Sequence, residues 1–288
     1  MKLFRLFCFI LPLFALFLLF IGCSELKETT LLRLKNDPGK ENQYLTIFEG
    51  SFSRWRADSL VMKRRVKYEI ITIEQFPSSP SDTIILMQSR DSGRYRVDNL
   101  IDSTSTDSSW VGKGILFTMS PQGRLIDLES LAKDGGMDMS YNRALAEQTY
   151  PVFPLEPVAV GREWTQTTKV IQNGAPLQAS ITFNVKSFEK VDGIDVVAIG
   201  YDGLAIIPLP AKPGDSTFIS AFNRLKVNGT IWYDYNRGGM YKQTEHRLLT
   251  GERIATETPG DTIKYRFDGV YDMETRLVSS KRADLTSK

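Results

Sequence analysis

Val66-Lys67-Tyr68-Glu69-Ile70-Ile71-Thr72-Ile73-Glu74 and Ile181-Thr182-Phe183-Asn184-Val185-Lys186-Ser187-Phe188-Glu189 lie 115 positions apart, and together they decide the fold. In both, apolar residues are spaced two, two and then three apart, and a glutamate follows. Alternation with a period of two is the signature of a strand with one face buried. The step of three predicts a β-bulge at the same point of each copy. A second block repeats at the same offset: Gly114-Ile115-Leu116-Phe117-Thr118 falls on Gly229-Thr230-Ile231-Trp232-Tyr233, and Gly123 falls on Gly238. Each copy reads as a strand, a turn closed by glycine and a returning strand. Two blocks sharing one offset imply an internal duplication.

Outward from these blocks the chain continues as short β-type segments punctuated by Gly, Pro, Ser and Asp, among them 83–88 and 196–199. Helical pattern is scarce: Met139 to Gln148, with Ser140 as its cap, and more weakly Thr217 to Leu225. The expected fold is α+β and predominantly antiparallel β, with two related halves forming curved sheets or half-barrels and one or two helices packed against them. The halves are placed at 44–150 and 161–288, joined by a proline-rich connection at 151–160. Residues 23–43, with the turn cluster Asn36-Asp37-Pro38-Gly39-Lys40, read as a tether.

The N-terminus is different in kind. Lys2 and Arg5 precede an unbroken apolar run from Leu6 to Gly22, the layout of a secretory signal. A retained transmembrane helix is the alternative for a run of this length. Its ending, Leu19-Phe20-Ile21-Gly22-Cys23 followed by Ser24-Glu25, argues against that and resembles the lipobox of bacterial lipoproteins; Phe20 departs from the leucine more usual there. The resemblance implies cleavage after Gly22 and diacylglycerol and palmitate-type acylation at Cys23. Several chains, each methylene contributing about 0.8 kcal/mol, would hold the product on a membrane. It also implies a bacterial envelope location, with Ser24 and Glu25 compatible with outer-membrane sorting. The whole layout, lipobox, tether, duplicated β-rich body and proline-rich join before Gly161-Arg162-Glu163-Trp164, is similar to uncharacterised envelope lipoproteins of Bacteroidota.

Chemistry is sparse. The chain has two cysteines. Cys8 lies in the segment to be removed and Cys23 is the lipid site, so no disulfide is expected. Removing residues 1–22 takes away Lys2 and Arg5 and leaves 34 basic against 34 acidic residues, a balance that gives no case for nucleic acid. His246 is the single histidine, and it reads as a surface residue on a strand. Ser187-Phe188-Glu189-Lys190 has the Ser-x-x-Lys spacing, but on a strand it points its ends to opposite faces. No metal site is expected: Asp134-Gly135-Gly136-Met137-Asp138 offers too few oxygens for calcium, and the Ser/Thr-rich stretch Asp102 to Ser109 reads as a solvated loop. No cofactor is implied.

Trp55, Trp110, Trp164 and Trp232, with Phe183 and Tyr233, either pack a core or line a ligand cavity. Trp232 and Tyr233 are neighbours on a strand and face opposite ways, so one of them is the best candidate for a ligand or surface contact. The function expected from these readings is a non-catalytic, membrane-anchored protein that binds an apolar or amphiphilic ligand. An interaction subunit of an envelope complex is the alternative. A carboxylate-dependent hydrolase comes third, since paired carboxylates meet only in three dimensions.

Overall fold

The computed structural model describes residues 28–80, 82–98, 102–106, 113–132, 139–172, 175–208, 218–258 and 261–282. Gly22, Cys23, the signal-like run, the 134–138 loop and Trp110 lie outside them. Among the described residues, no helix is long and apolar enough to cross a membrane.

After β1 (Thr29–Thr30) come β2 (Lys40–Arg56), β3 (Ser59–Gln75), β4 (Ile84–Asp98), β5 (Asp102–Thr106), β6 (Gly114–Met119), β7 (Leu125–Ser130) and the helix α1 (Met139–Thr149). The second half holds β8 (Val158–Ala159), β9 (Glu163–Gln172), β10 (Ala175–Val191), β11 (Ile194–Pro208), β12 (Phe218–Asp234), β13 (Gly239–Thr258) and β14 (Asp261–Arg282). Twelve strands form one antiparallel sheet in the order β7-β6-β4-β3-β2-β14-β13-β12-β11-β10-β9, with β5 beside β4. β1 and β8 make a separate small pair.

The fold is therefore the antiparallel-β one that the alternation predicts, and the duplication is laid out strand on strand. At the 115-residue offset β3 falls on β10 and β6 on the lower part of β12. The long β12, which pairs β11 along its length, corresponds to β5 and β6 together, since both pair β4. Gly123 and Gly238 both adopt positive φ, +88° and +69°, in the turns that follow β6 and β12. Only glycine takes that conformation at no steric cost.

The two halves are one sheet, because β14 pairs β2 from Arg282↔Lys40 to Tyr265↔Arg56. That sheet curls, and its free edges β7 and β9 both pack against α1, which also touches β11. Glycine faces tyrosine across two of the ladders. Gly229 is opposite Tyr201, and a Cβ there would lie 2.6 Å from the ring; Gly50 is likewise opposite Tyr271. An aromatic ring laid over a strand glycine covers the backbone that the bend exposes.

Two clusters fill the concave side. One, from the second half, contains Ile181, Phe183, Ile199, Ile231 and Tyr233; the other, from the first half, contains Ile84, Leu86, Phe117, Met119 and the helix residue Ala146. Leu34 packs against both.

Four expectations need correction. Residues 28–39 are part of the fold, since Leu32 is 0% exposed and β2 begins at Lys40. The segment lies under the curl, where Leu34 N–H donates to Pro121 O at 2.7 Å and the Tyr233 hydroxyl donates to Arg33 O at 2.7 Å. The proline-rich connection after α1 packs against the same core, where Phe153 and Val158 are buried. From Phe218 onward the weak helical pattern is strand, because pairing with β11 and β13 outweighs marginal periodicity; Thr217 lies outside the described residues. Asp102–Thr106 is strand as well, and Ser140 is inside α1 rather than ahead of it.

Candidate functional site

Beneath the curl, where the inner faces of β2, β3, β4, β6, β12, β13 and β14 meet the 28–39 segment, there is a cavity of about 250 Å³. Its wall is largely apolar and drawn from both halves: Leu34, Ile84, Leu86, Met119, Ile231 and Tyr233. A smaller chamber of about 70 Å³ lies between it and α1, lined by Leu145, Phe183 and Leu225 among others. Ile231, Gln243 and Arg247 border both spaces. The partition is a polar network. Arg247 pairs with Glu245, the Tyr201 hydroxyl donates to Glu245 Oε2 at 2.6 Å, and Gln243 Nε2 donates to the Tyr201 oxygen at 2.7 Å. A buried charge pair with its remaining lone pairs satisfied is a rigid element.

One carboxyl faces the larger cavity. Glu74, on the inner face of β3 beside Thr72, accepts from Gln88 Nε2 at 3.3 Å, and the same amide donates to the Tyr150 hydroxyl at 3.1 Å. Burial pushes Glu74 up to about 7, against the opposing pull of the Gln88 hydrogen bond, the Lys40 charge and the Tyr44 hydroxyl. Tyr44 and Tyr150 are held above the usual phenol range, again by burial first. Tyr44 donates instead to Met240 O at 3.0 Å.

Why Glu74 points inward explains a failed expectation. Both copies are irregular where the spacing predicts a bulge, but the extra residue sits on different strands. In the second half it is Lys186 on β10, between the pairs Val185↔Ile199 and Ser187↔Ala198. That insertion returns Phe188 to the core and sends Glu189 outward, where it accepts from Trp232 Nε1 at 2.7 Å. In the first half the extra residue is Asp91 on β4, between Ile71↔Ser92 and Thr72↔Arg90. β3 therefore keeps strict alternation there: Ile73 goes to the outer face and Glu74 to the cavity.

Trp232 and Tyr233 do face opposite ways. Tyr233 is 2% exposed and lines the cavity, while Trp232 is on the outer face with Lys242 5.8 Å from its ring centroid. Trp164 stacks on Phe183 with centroids 5.3 Å apart, and Trp55 carries Arg266 over its ring at 4.9 Å. None of these three tryptophans lines the cavity. His246 lies on β13, its Nδ1 2.8 Å from Asp272 Oδ1, in an open polar groove of about 770 Å³ on the outer face. Among the described residues, no three His, Cys, Asp or Glu side chains are grouped to hold a metal.

No protein-family model and no curated protein matches the chain. Among solved structures it is similar to lipovitellin, in work concerned with lipid–protein interactions, at 11% identity and a TM-score of 0.48. That match covers 88% of this chain and 26% of the other, so the chain spans about a quarter of the lipovitellin chain. It is also similar to an outer membrane channel from Pseudomonas putida F1, at 9% identity and a TM-score of 0.27, covering 88% of this chain and 98% of that one.

Proposed function

We propose that this chain is a non-catalytic envelope lipoprotein, anchored through Cys23 after removal of residues 1–22, that holds an apolar or amphiphilic ligand beneath its curled sheet. The observation that carries the binding reading is the apolar cavity of about 250 Å³ walled by both halves of the duplication. A void lined by Ile, Leu and Met side chains forfeits dispersion contacts that a hydrocarbon group would restore. The anchor rests on Leu19 to Cys23 and the polar residues that follow them.

Two measurements test this reading. Residues 24–288, exported in the native host from a cleavable signal that replaces residues 1–23 and purified from its envelope fraction, should release a stoichiometric apolar or amphiphilic compound into organic solvent, read by mass spectrometry. The variant Leu86→Trp, which fills the cavity, should release much less while keeping its thermal unfolding cooperative. A ligand-free extract, together with no uptake of a fluorescent alkyl probe, would overturn the binding reading. For the anchor, intact mass of membrane fractions should give a chain beginning at Cys23 with added acyl mass, lost in Cys23→Ser; an unacylated, uncleaved membrane-bound chain would favour the retained helix instead.

A further inference from the structure

Granting that the cavity holds a ligand, we infer that this ligand is an amphiphile with an anionic head group, carboxylate or phosphate, and that Lys40 is the residue that binds it. The cavity adjoins an open vestibule of about 430 Å³ at the floor of the sheet, and Lys35, Lys40 and Arg237 line both. Lys281 and Arg282 complete the vestibule wall, where Asp37 is the lining acid and Glu41 and Asp234 pair with wall cations from beside it, which leaves the cations in excess. An apolar chamber meeting a basic mouth matches a tail joined to a negative head. The net charge of the chain conceals this, because the excess of cations is local.

Four of these five cations are already engaged. Arg282 pairs with Asp37 at 3.3 Å, Lys281 with Glu41 at 3.2 Å and Arg237 with Asp234 at 3.6 Å, while Lys35 Nζ donates to Asn236 O at 2.7 Å. The Lys40 ammonium makes no hydrogen bond or ion pair among the described residues. Asp37, Asp234 and Glu74 attract it from a distance and Arg237 repels it. Burial is the largest influence on Lys40 and pulls its pKa down, as expected of a cation held partly out of water without a counter-ion. An arriving anion would remove that penalty, whereas a neutral or cationic head would leave it in place. Lys40 is also well placed. It is the first residue of β2, its backbone is fixed by Lys40 N–H to Asp37 O at 3.0 Å and Phe76 N–H to Lys40 O at 3.1 Å, and its side chain stands at the boundary of chamber and mouth.

The test uses residues 24–288, freed of ligand by organic extraction and refolding, and three probes measured by calorimetry: decanoate, decanol and inorganic phosphate. Wild type should bind decanoate about tenfold or more tighter than decanol, a difference of roughly 1.4 kcal/mol. Lys40→Gln should bring decanoate down to the affinity of decanol and leave decanol unchanged, with the thermal midpoint of the free protein monitored to confirm folding. Equal binding of the two alkyl probes by wild type, or an equal loss of both in Lys40→Gln, would overturn the head-group inference while leaving the cavity reading intact. Phosphate binding as tight as decanoate would overturn it in favour of a site for a free anion. Failure of both alkyl probes to bind would instead count against the cavity reading itself.

Discussion

Glu74 is held where its charge is poorly solvated, and that makes stability depend on pH in a direction opposite to that of most carboxylates. Its folded pKa of about 7 stands above the ordinary 4.5, so between those values the native chain binds more protons than the unfolded one. Stability from this group is therefore full below about pH 4.5, falls as pH rises through 7, and is level above; the total change is up to about 3 kcal/mol. Glu74→Gln should be more stable than wild type at pH 8, and the advantage should vanish by pH 4.5, read from urea midpoints. A second residue argues that the N-terminal segment is structural. Leu32→Ala should cost about 2–5 kcal/mol, the range for a buried leucine, where a solvated tether would make the change neutral. Neither residue's role was legible in the sequence. Leu32 stands in the short run Leu31-Leu32-Arg33-Leu34, cut off by Asn36-Asp37-Pro38-Gly39 and too brief to set a period, and the identical apolar spacings of Val66–Ile73 and Ile181–Phe188 do not reveal which strand of each pair carries the bulge.

The helix α1 does a strand's work with side chains. β10 and β11 part beyond Ser180↔Leu204, and there Gln148 takes both backbone bonds of Ile206: Ile206 N–H donates to Oε1 at 2.6 Å, and Nε2 donates to Ile206 O at 2.8 Å. From β9, Gln166 Nε2 donates to Glu147 O at 2.6 Å and Thr168 donates to the same carbonyl at 3.2 Å, satisfying the helix C-terminus. Gln148→Leu, close to isosteric, would leave one buried donor and one buried acceptor unmet. It should cost about 2–4 kcal/mol and speed hydrogen exchange at the Ile206 amide; unchanged exchange would mean that water takes over both bonds. At this scale the sequence was more informative. The helix at 139–148 and the glycine-closed turns at Gly123 and Gly238 are where local pattern put them. Strand lengths were not, because the 17 to 22 residues of β2, β3, β12, β13 and β14 include runs such as Lys63-Arg64-Arg65 whose charges hide the alternation. The cavity itself left no sequence mark, since its wall is assembled from inner-face residues of seven strands.

For the whole molecule, the repeat at 115 residues was readable from two blocks in register, whereas the joining of the halves into one sheet was not, because a ladder between β2 and β14 has no local signature. That ladder predicts that neither half is independent. A chain ending at Thr258 would leave β2 and β13 as long unpaired edges, and it should aggregate in light scattering and lose its cooperative melt; a monomer with a sharp transition would mean that the halves are separate domains. The same ladder orders events in time. β2 leaves the ribosome before β14, with every other strand of the sheet from β3 to β13 made in between, so one side of β2 stays open until β14 follows. Contacts at such sequence separation form slowly. During the delay a long edge waits unpaired, and escorting it is the work of whatever machinery handles the nascent chain.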